Sequence, residues 1–322
     1  MARRGVLAAG CHDPPNCGNR CRFFCVLTVL YPFLFKSLSR LPLPVLHALG
    51  WLLGWLGFLL SSRYRRKLYV HAEQAGFGRT VARASVAEAG KMVTEMPRLW
   101  LGDPVHLEWD GRELIEQAIA EGNGVLFLTP HLGCFEVTAQ LVAQEFGDRM
   151  PVTVLYRPAR QPWLRDIMER ARNRPGLATA PTTLAGVKQL IKALKLRQGV
   201  GLLPDQVPPE GQGVWAPFFG RDAYTMTLSA RLALTGGARV LLIWGERLSW
   251  GRGYCVHLRP FRPSTAGQLS ADPVAAAGEI NEAMESLVRE CPAQYLWSYD
   301  RYKAPAGLSH SARLEAERAQ GA

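Results

Sequence analysis

Residues 124–136, Gly-Val-Leu-Phe-Leu-Thr-Pro-His-Leu-Gly-Cys-Phe-Glu, join a short apolar run to a histidine and a glutamate. The run from Val125 to Leu128 is bounded by Gly124 and Pro130. That is the pattern of a buried strand, here expected over 124–129. His131 then falls at the strand's C-terminal end, where α/β sheets place their sites. The chain continues into an apolar-periodic stretch from Val137 to Phe146, expected to be a helix. His131 and Glu136 are about one helical turn apart, so the carboxylate is placed to hold the imidazole. Together they would be the base and orienter of a catalytic triad without its serine. His-x4-Glu alone reads equally well as a structural histidine at a strand end.

Beyond this stretch, strands are expected at 152–156, 199–203, 238–244 and 254–259. Helices are expected at 81–101, 112–121, 135–146, 161–172, 183–196, 226–236 and 272–290. Strands separated by helices predict an α/β fold, a mostly parallel central sheet flanked by helices. The turn Leu203-Pro204-Asp205-Gln206 ends one of these strands and brings a second carboxylate to the sheet's site edge. Pro217-Phe218-Phe219-Gly220 reads as an apolar loop that either walls a lipid pocket or plugs the core.

The chain has 322 residues, 48% of them hydrophobic and 20% charged, with a formal net charge of +11. Such a balance allows a globular core and argues against a polytopic membrane protein. The excess positive charge calls for an acidic partner. Most of it lies between Arg157 and Arg197, where seven arginines and three lysines face only Asp166 and Glu169. No zinc-finger or RNA-binding signature accompanies them, so nucleic acid is not the expected partner. Lys188, Lys192 and Lys195 form a basic stripe beside the apolar face Leu184, Val187, Leu190, Ile191 and Leu194. The stripe is either an ordinary solvated face or a docking site for an acidic protein. Cys11, Cys17, Cys21 and Cys25 lack the paired spacing of a zinc site. No metal or nucleotide motif appears, and no cofactor is expected.

Two uncharged apolar runs lie near the N-terminus, Phe23 to Phe35 and Leu41 to Ser62. The second, 22 residues long, matches the roughly 20 residues needed to cross a bilayer. Arg63, Arg65, Arg66 and Lys67 follow it directly, which by the positive-inside rule puts the rest of the chain on the cytoplasmic side. The expected organisation is a basic tail over 1–21, a membrane-anchoring helical segment over 22–62, a catalytic domain over 63–304 and a flexible tail over 305–322. Whether the anchor spans the bilayer or lies in its interface stays open.

Taken in order, these segments resemble the lipid A late acyltransferases of lipopolysaccharide synthesis, over roughly residues 25–304. The matching pieces are the apolar N-terminus with its arginine exit, His131-Leu-Gly-Cys-Phe-Glu136, Tyr156-Arg157-Pro158 and Arg170-Ala-Arg172-Asn-Arg174. They continue with Leu203-Pro-Asp205-Gln206, Pro217-Phe-Phe-Gly220, Thr227-Leu-Ser-Ala-Arg231, and Cys291-Pro-Ala-Gln-Tyr-Leu-Trp297 before Arg301-Tyr-Lys303. Cys134 and Phe135 stand where many members carry Asn-Trp. The resemblance implies transfer of a fatty acyl chain from acyl carrier protein to a hydroxyl of a 3-hydroxyacyl chain on a Kdo-bearing lipid A precursor, at the cytoplasmic face of the inner membrane among its lipids. It implies His131 as general base, Glu136 as its orienter, and Arg172 and Asp205 as further catalytic residues. Arg157, Arg170, Arg174, Gln206 and Arg231 are the implied substrate-binding set, and Lys188, Lys192 and Lys195 the carrier-docking set. The developing oxyanion would find donors in backbone N–H groups near Gly133 or in an arginine. Cys134, three residues from His131, is a rival nucleophile. Competing readings are an acyltransferase for another phospho- or glycolipid, a thioesterase acting on the same donor, and a non-catalytic lipid-binding membrane protein.

Overall fold

The computed structural model describes residues 31–159, 161–235, 237–263 and 268–307. The expected N-terminal tail, the cysteines at 11, 17, 21 and 25, the first apolar run up to residue 30 and the tail from residue 308 lie outside the described residues.

Residues 31–38 are helical. Then follow α1 (Leu43–Leu60), α2 (Ser62–Gln74), α3 (Gly78–Thr94), α4 (Met96–Leu101), β1 (Leu107–Asp110), α5 (Glu113–Ala120) and β2 (Val125–Leu128). Next come α6 (Phe135–Phe146), β3 (Val152–Tyr156), α7 (Pro162–Arg172), β4 (Leu177–Pro181), α8 (Leu184–Lys195) and β5 (Gly199–Leu202). The chain closes with β6 (Gly213–Phe218), β7 (Arg221–Met226), α9 (Leu228–Ala233), β8 (Arg239–Arg247), β9 (Tyr254–Pro260) and α10 (Pro273–Glu290).

Seven strands form one sheet in the order β1-β9-β8-β2-β5-β3-β4. Pairing is parallel except between β8 and β9, whose hairpin turns β9 and β1 against the other five. Strand β2 lies in the middle and all four of its residues are buried. Its side chains alternate between two cores, as a pleated strand covered on both faces must. Leu126 and Leu128 enter a core with Val200, Leu202 and Leu242. Val125 and Phe127 enter the opposite one with Val137, Leu141, Leu241 and Ile243.

Several expectations shift at the level of elements. The single helix expected at 81–101 is broken at Glu95, beside Pro97, into α3 and α4. The expected apolar loop at 217–220 is the turn of the β6–β7 hairpin, with Phe219 and Gly220 both at positive φ. The hairpin buries Phe218 in the core beside Tyr302. Strands β1 and β4 were not expected. Each is four or five residues long and only partly buried, so neither shows a clear apolar run.

Helix α1 is long and apolar enough to cross a membrane. It packs along α3 through glycines: a Cβ on Gly90 would run into the Gly50 backbone, and one on Gly54 into the Val86 carbonyl. The opposite side of α1 is open, with Trp51, Leu52, Leu53, Leu56, Leu59 and Leu60 all exposed.

Candidate active site

Strands β2 and β5 pair in parallel with Leu128 opposite Leu202. His131 and Asp205 each lie three residues beyond that pair, so equal run-on brings them together at the C-terminal edge. His131 Nδ1 lies 2.7 Å from Asp205 Oδ1, and the His131 backbone N–H donates to Oδ2 at 2.8 Å. An ionised carboxylate can only accept, so Nδ1 carries the hydrogen and Nε2 is the free base of the neutral ring. Asp205 is 2% exposed. Burial would raise its carboxyl, but attraction to the His131 ring when that ring is protonated and the two hydrogen bonds from His131 outweigh it and hold the group below its usual range. The Phe135 ring stands edge-on to the imidazole at 5.1 Å.

Glu136 does not orient His131. It sits one residue into α6 and turns to the other side, where Arg172 pairs with both of its oxygens, Nε to Oε2 at 3.2 Å. Trp100 Nε1–H donates to the same Oε2 at 3.2 Å. The guanidinium is also flanked by the rings of Trp100 and Tyr156 at 5.6 and 5.8 Å. Spacing along the chain made Glu136 the neighbour of His131; strand register gave that place to Asp205.

The backbone N–H groups of the turn after His131 are all engaged. Leu132 donates to the Pro130 carbonyl, Gly133 to Gln294 at 3.0 Å and Cys134 to Gly245 at 2.7 Å. These three groups supply no oxyanion donor. Gly133 is at φ +58°, and a Cβ there would strike the Gly245 carbonyl, which fixes glycine at this position. Arg247 Nη2 donates to the Gly133 carbonyl at 2.6 Å and is itself locked to Glu95. Glu95 is fully buried and also receives Tyr254 Oη–H at 2.9 Å and meets His47 Nε2 of α1 at 3.2 Å. Burial opposes its charge, but Arg247 and His47 prevail and lower the carboxyl to about 2. This cluster was missed from sequence. Its only signals were a glutamate at the break of a helix and an arginine ending an apolar strand.

Cys134 is poorly placed for a nucleophile and does not line the cavity. It is fully buried, and burial together with the Glu95 charge pushes its thiol well above the usual range.

A cavity of about 1030 Å³ opens over this edge. His131, Glu136, Arg172 and Gln206 line it, as do Arg157 and Arg231. Its inner wall is apolar, with Phe127, Val142, Val154, Leu177 and Ile243. The volume is at the upper end for small-molecule pockets, on the order of 300–1,000 Å³. Two of the expected substrate-binding arginines are not among the lining residues. Arg170 is exposed on α7. Arg174 donates to the carbonyls of Leu99, Trp100 and Ala171, capping the last turn of α4. Lys188, Lys192 and Lys195 are exposed on α8. Leu184, expected in its buried face, is 73% exposed and lines the cavity. Among the described residues, no group of three or more His, Cys, Asp or Glu side chains could hold a metal ion.

An α/β sheet with a carboxylate-held histidine at the edge of a large cavity with an apolar wall fits the class of enzymes that act on molecules with an apolar part. Residues 24–304 match the bacterial lipid A biosynthesis acyltransferase family. The chain belongs to that family and is an acyltransferase. It is 29% identical to the lipid A biosynthesis lauroyltransferase of Escherichia coli, over 84% of this chain and 89% of that one. It is 26% identical to the myristoyltransferase of the same organism, over 79% and 78%. For the palmitoleoyltransferase the identity is 25%, over 67% and 69%.

Proposed function

We propose that this enzyme moves a fatty acyl chain from an acyl carrier protein thioester to the hydroxyl of a 3-hydroxyacyl chain on a Kdo-bearing lipid A precursor. The observation that carries the reading is the His131–Asp205 pair at the mouth of a lipid-sized apolar cavity, in a chain of this family. The acceptor hydroxyl attacks the thioester carbonyl carbon as His131 Nε2 takes its proton. Asp205 fixes the tautomer and stabilises the imidazolium. The carbon–sulfur bond then breaks, and the proton passes from Nε2 to the leaving thiolate. Arg172, braced by Glu136, and the cavity arginines Arg157 and Arg231 offer positive charge to the oxyanion and to the acceptor's phosphates. Gln206 completes the wall beside His131.

Acyl carrier protein would dock on the basic stripe Lys188, Lys192 and Lys195 of α8, close to Leu184 and Val187 at the cavity. The anchoring segment within 22–62 would hold the catalytic domain, 63–304, at the cytoplasmic face of the inner membrane. For α1 an interfacial position is favoured over a span. It lies against α3 from Leu46 to Gly54, and sinking both would bury Arg79, Arg83, Glu88 and Lys91 in hydrocarbon.

The test is a transfer assay in detergent read by mass spectrometry. It offers acyl carrier proteins of several chain lengths with the Kdo-bearing tetra-acylated precursor, to wild type, His131→Ala and Asp205→Asn. Wild type should add one acyl mass, and both variants should lose at least about 100-fold in rate. No added mass with any donor would discard the lipid A acceptor. Full activity in His131→Ala would discard the base.

A further inference from the structure

Asp205 and Gln206 are consecutive, and between them they occupy both ring nitrogens of His131. Asp205 holds Nδ1, and Gln206 Nε2 lies 2.9 Å from His131 Nε2. Because Nδ1 carries the hydrogen, the Gln206 amide is the donor and the imidazole lone pair the acceptor. The nitrogen that must take the proton is therefore already capped. A base cannot act until that bond is given up.

We propose that Gln206 is a positioning residue that guards His131 against water, so that the thioester is passed to the acceptor and not hydrolysed. This rests on the acyl-transfer reading above. The cavity is broad and water can enter it. A bare imidazole beside a thioester would activate water as readily as an alcohol. Water would attack the carbonyl carbon, its proton would go to Nε2 and then to the leaving thiolate, and free fatty acid and carrier thiol would result. With the cap in place, any nucleophile must first displace the Gln206 amide. The large acceptor brings binding energy from its remote parts to do so; water brings none. The cap therefore discriminates by what else the nucleophile is attached to. Gln206 is only partly buried, with room to swing its amide away when the acceptor's hydroxyl arrives.

The experiment compares wild type with Gln206→Met, which keeps the length and removes the donor, and with Gln206→Leu. Free fatty acid and acylated lipid are measured together from one labelled acyl carrier protein thioester. Loss of one such hydrogen bond should raise the ratio of hydrolysis to transfer by about three- to tenfold. In parallel, diethylpyrocarbonate, whose carbonyl is attacked by an unpaired imidazole nitrogen, is used without any substrate. The rate of His131 carbethoxylation, read on its peptide by mass spectrometry, should rise severalfold in both variants. Variants that melt like wild type yet show an unchanged ratio and an unchanged carbethoxylation rate would overturn the guard. An unchanged ratio with faster carbethoxylation would also overturn it, leaving a cap with no effect on water. Wild type that neither transfers nor hydrolyses the thioester would overturn the acyl-transfer reading itself, and this inference with it.

Discussion

Glu136 and Arg172 form one unit in the cavity wall, and that sets how their substitutions should combine. Glu136 is 7% exposed and both of its oxygens meet the guanidinium. Removing either partner leaves the other charge poorly solvated. Glu136→Ala and Arg172→Ala should each lower kcat/KM, and the double variant should cost about as much as the worse single one. Asp205→Asn combined with Glu136→Ala should come nearer to additive, because the two carboxylates hold different side chains. A double-mutant cycle on kcat/KM separates the cases. Strong coupling between Glu136 and Asp205 would mean that Glu136 acts on His131 after all. At this scale the sequence singled out His131, Glu136, Arg172 and Asp205, and spacing paired His131 with Glu136 where the structure pairs it with Asp205. Pairing depends on which strand ends lie side by side, and residue spacing carries no such information.

Four elements meet at Glu95: α1 through His47, the α3–α4 break itself, β8 through Arg247 and β9 through Tyr254. Arg247 passes the constraint on to the Gly133 carbonyl, two residues from His131. The depressed carboxyl of Glu95 ties this junction to pH. In the folded chain it titrates at about 2, against an ordinary 4.5. Its stabilising contribution is therefore complete above about 4.5 and fades as pH falls toward about 2. Thermal melts of wild type should show a falling melting temperature across that window. Glu95→Gln should lower the melting temperature at neutral pH, since breaking a buried pair from one side costs about 3–5 kcal/mol. It should also flatten the acid decline. An acid limb as steep in Glu95→Gln as in wild type would assign the loss to other carboxylates. Helix and strand boundaries were largely legible because β2, β5, α6 and α8 have clean apolar periods. The junction was not, because an ion pair between distant elements leaves no period.

Over the whole molecule, the net charge of +11 is concentrated in the stretch that carries α7 and α8. If the donor is the acidic carrier protein proposed above, a basic face next to the cavity would steer it there, and that attraction would be screened by salt. Reversing Lys188, Lys192 and Lys195 to Glu should raise KM for the carrier-bound donor about tenfold or more, with a smaller effect on kcat. The wild-type KM should itself climb when ionic strength goes from about 0.05 to about 0.3 M. An unchanged KM in the triple variant would move the docking face elsewhere. The apolar side of α1 is the other large surface feature, and it is left open because glycines let its opposite side press against α3.

The sequence by itself determined the fold class, the histidine at the end of a buried strand, the ordered motifs of the family and the basic and apolar surfaces. Each is local: an apolar period, a residue type or a charge count within one segment. Only the tertiary structure decided that Asp205 holds His131, that Gln206 meets its Nε2, that Glu136 belongs to Arg172 and that Arg174 caps a helix and stands outside the cavity lining. Those pairings follow from the parallel register of β2 on β5 and from the packing of α4 and α7 at the sheet edge. They join residues up to 75 positions apart, a distance over which side-chain pairing is set by the fold and not by spacing.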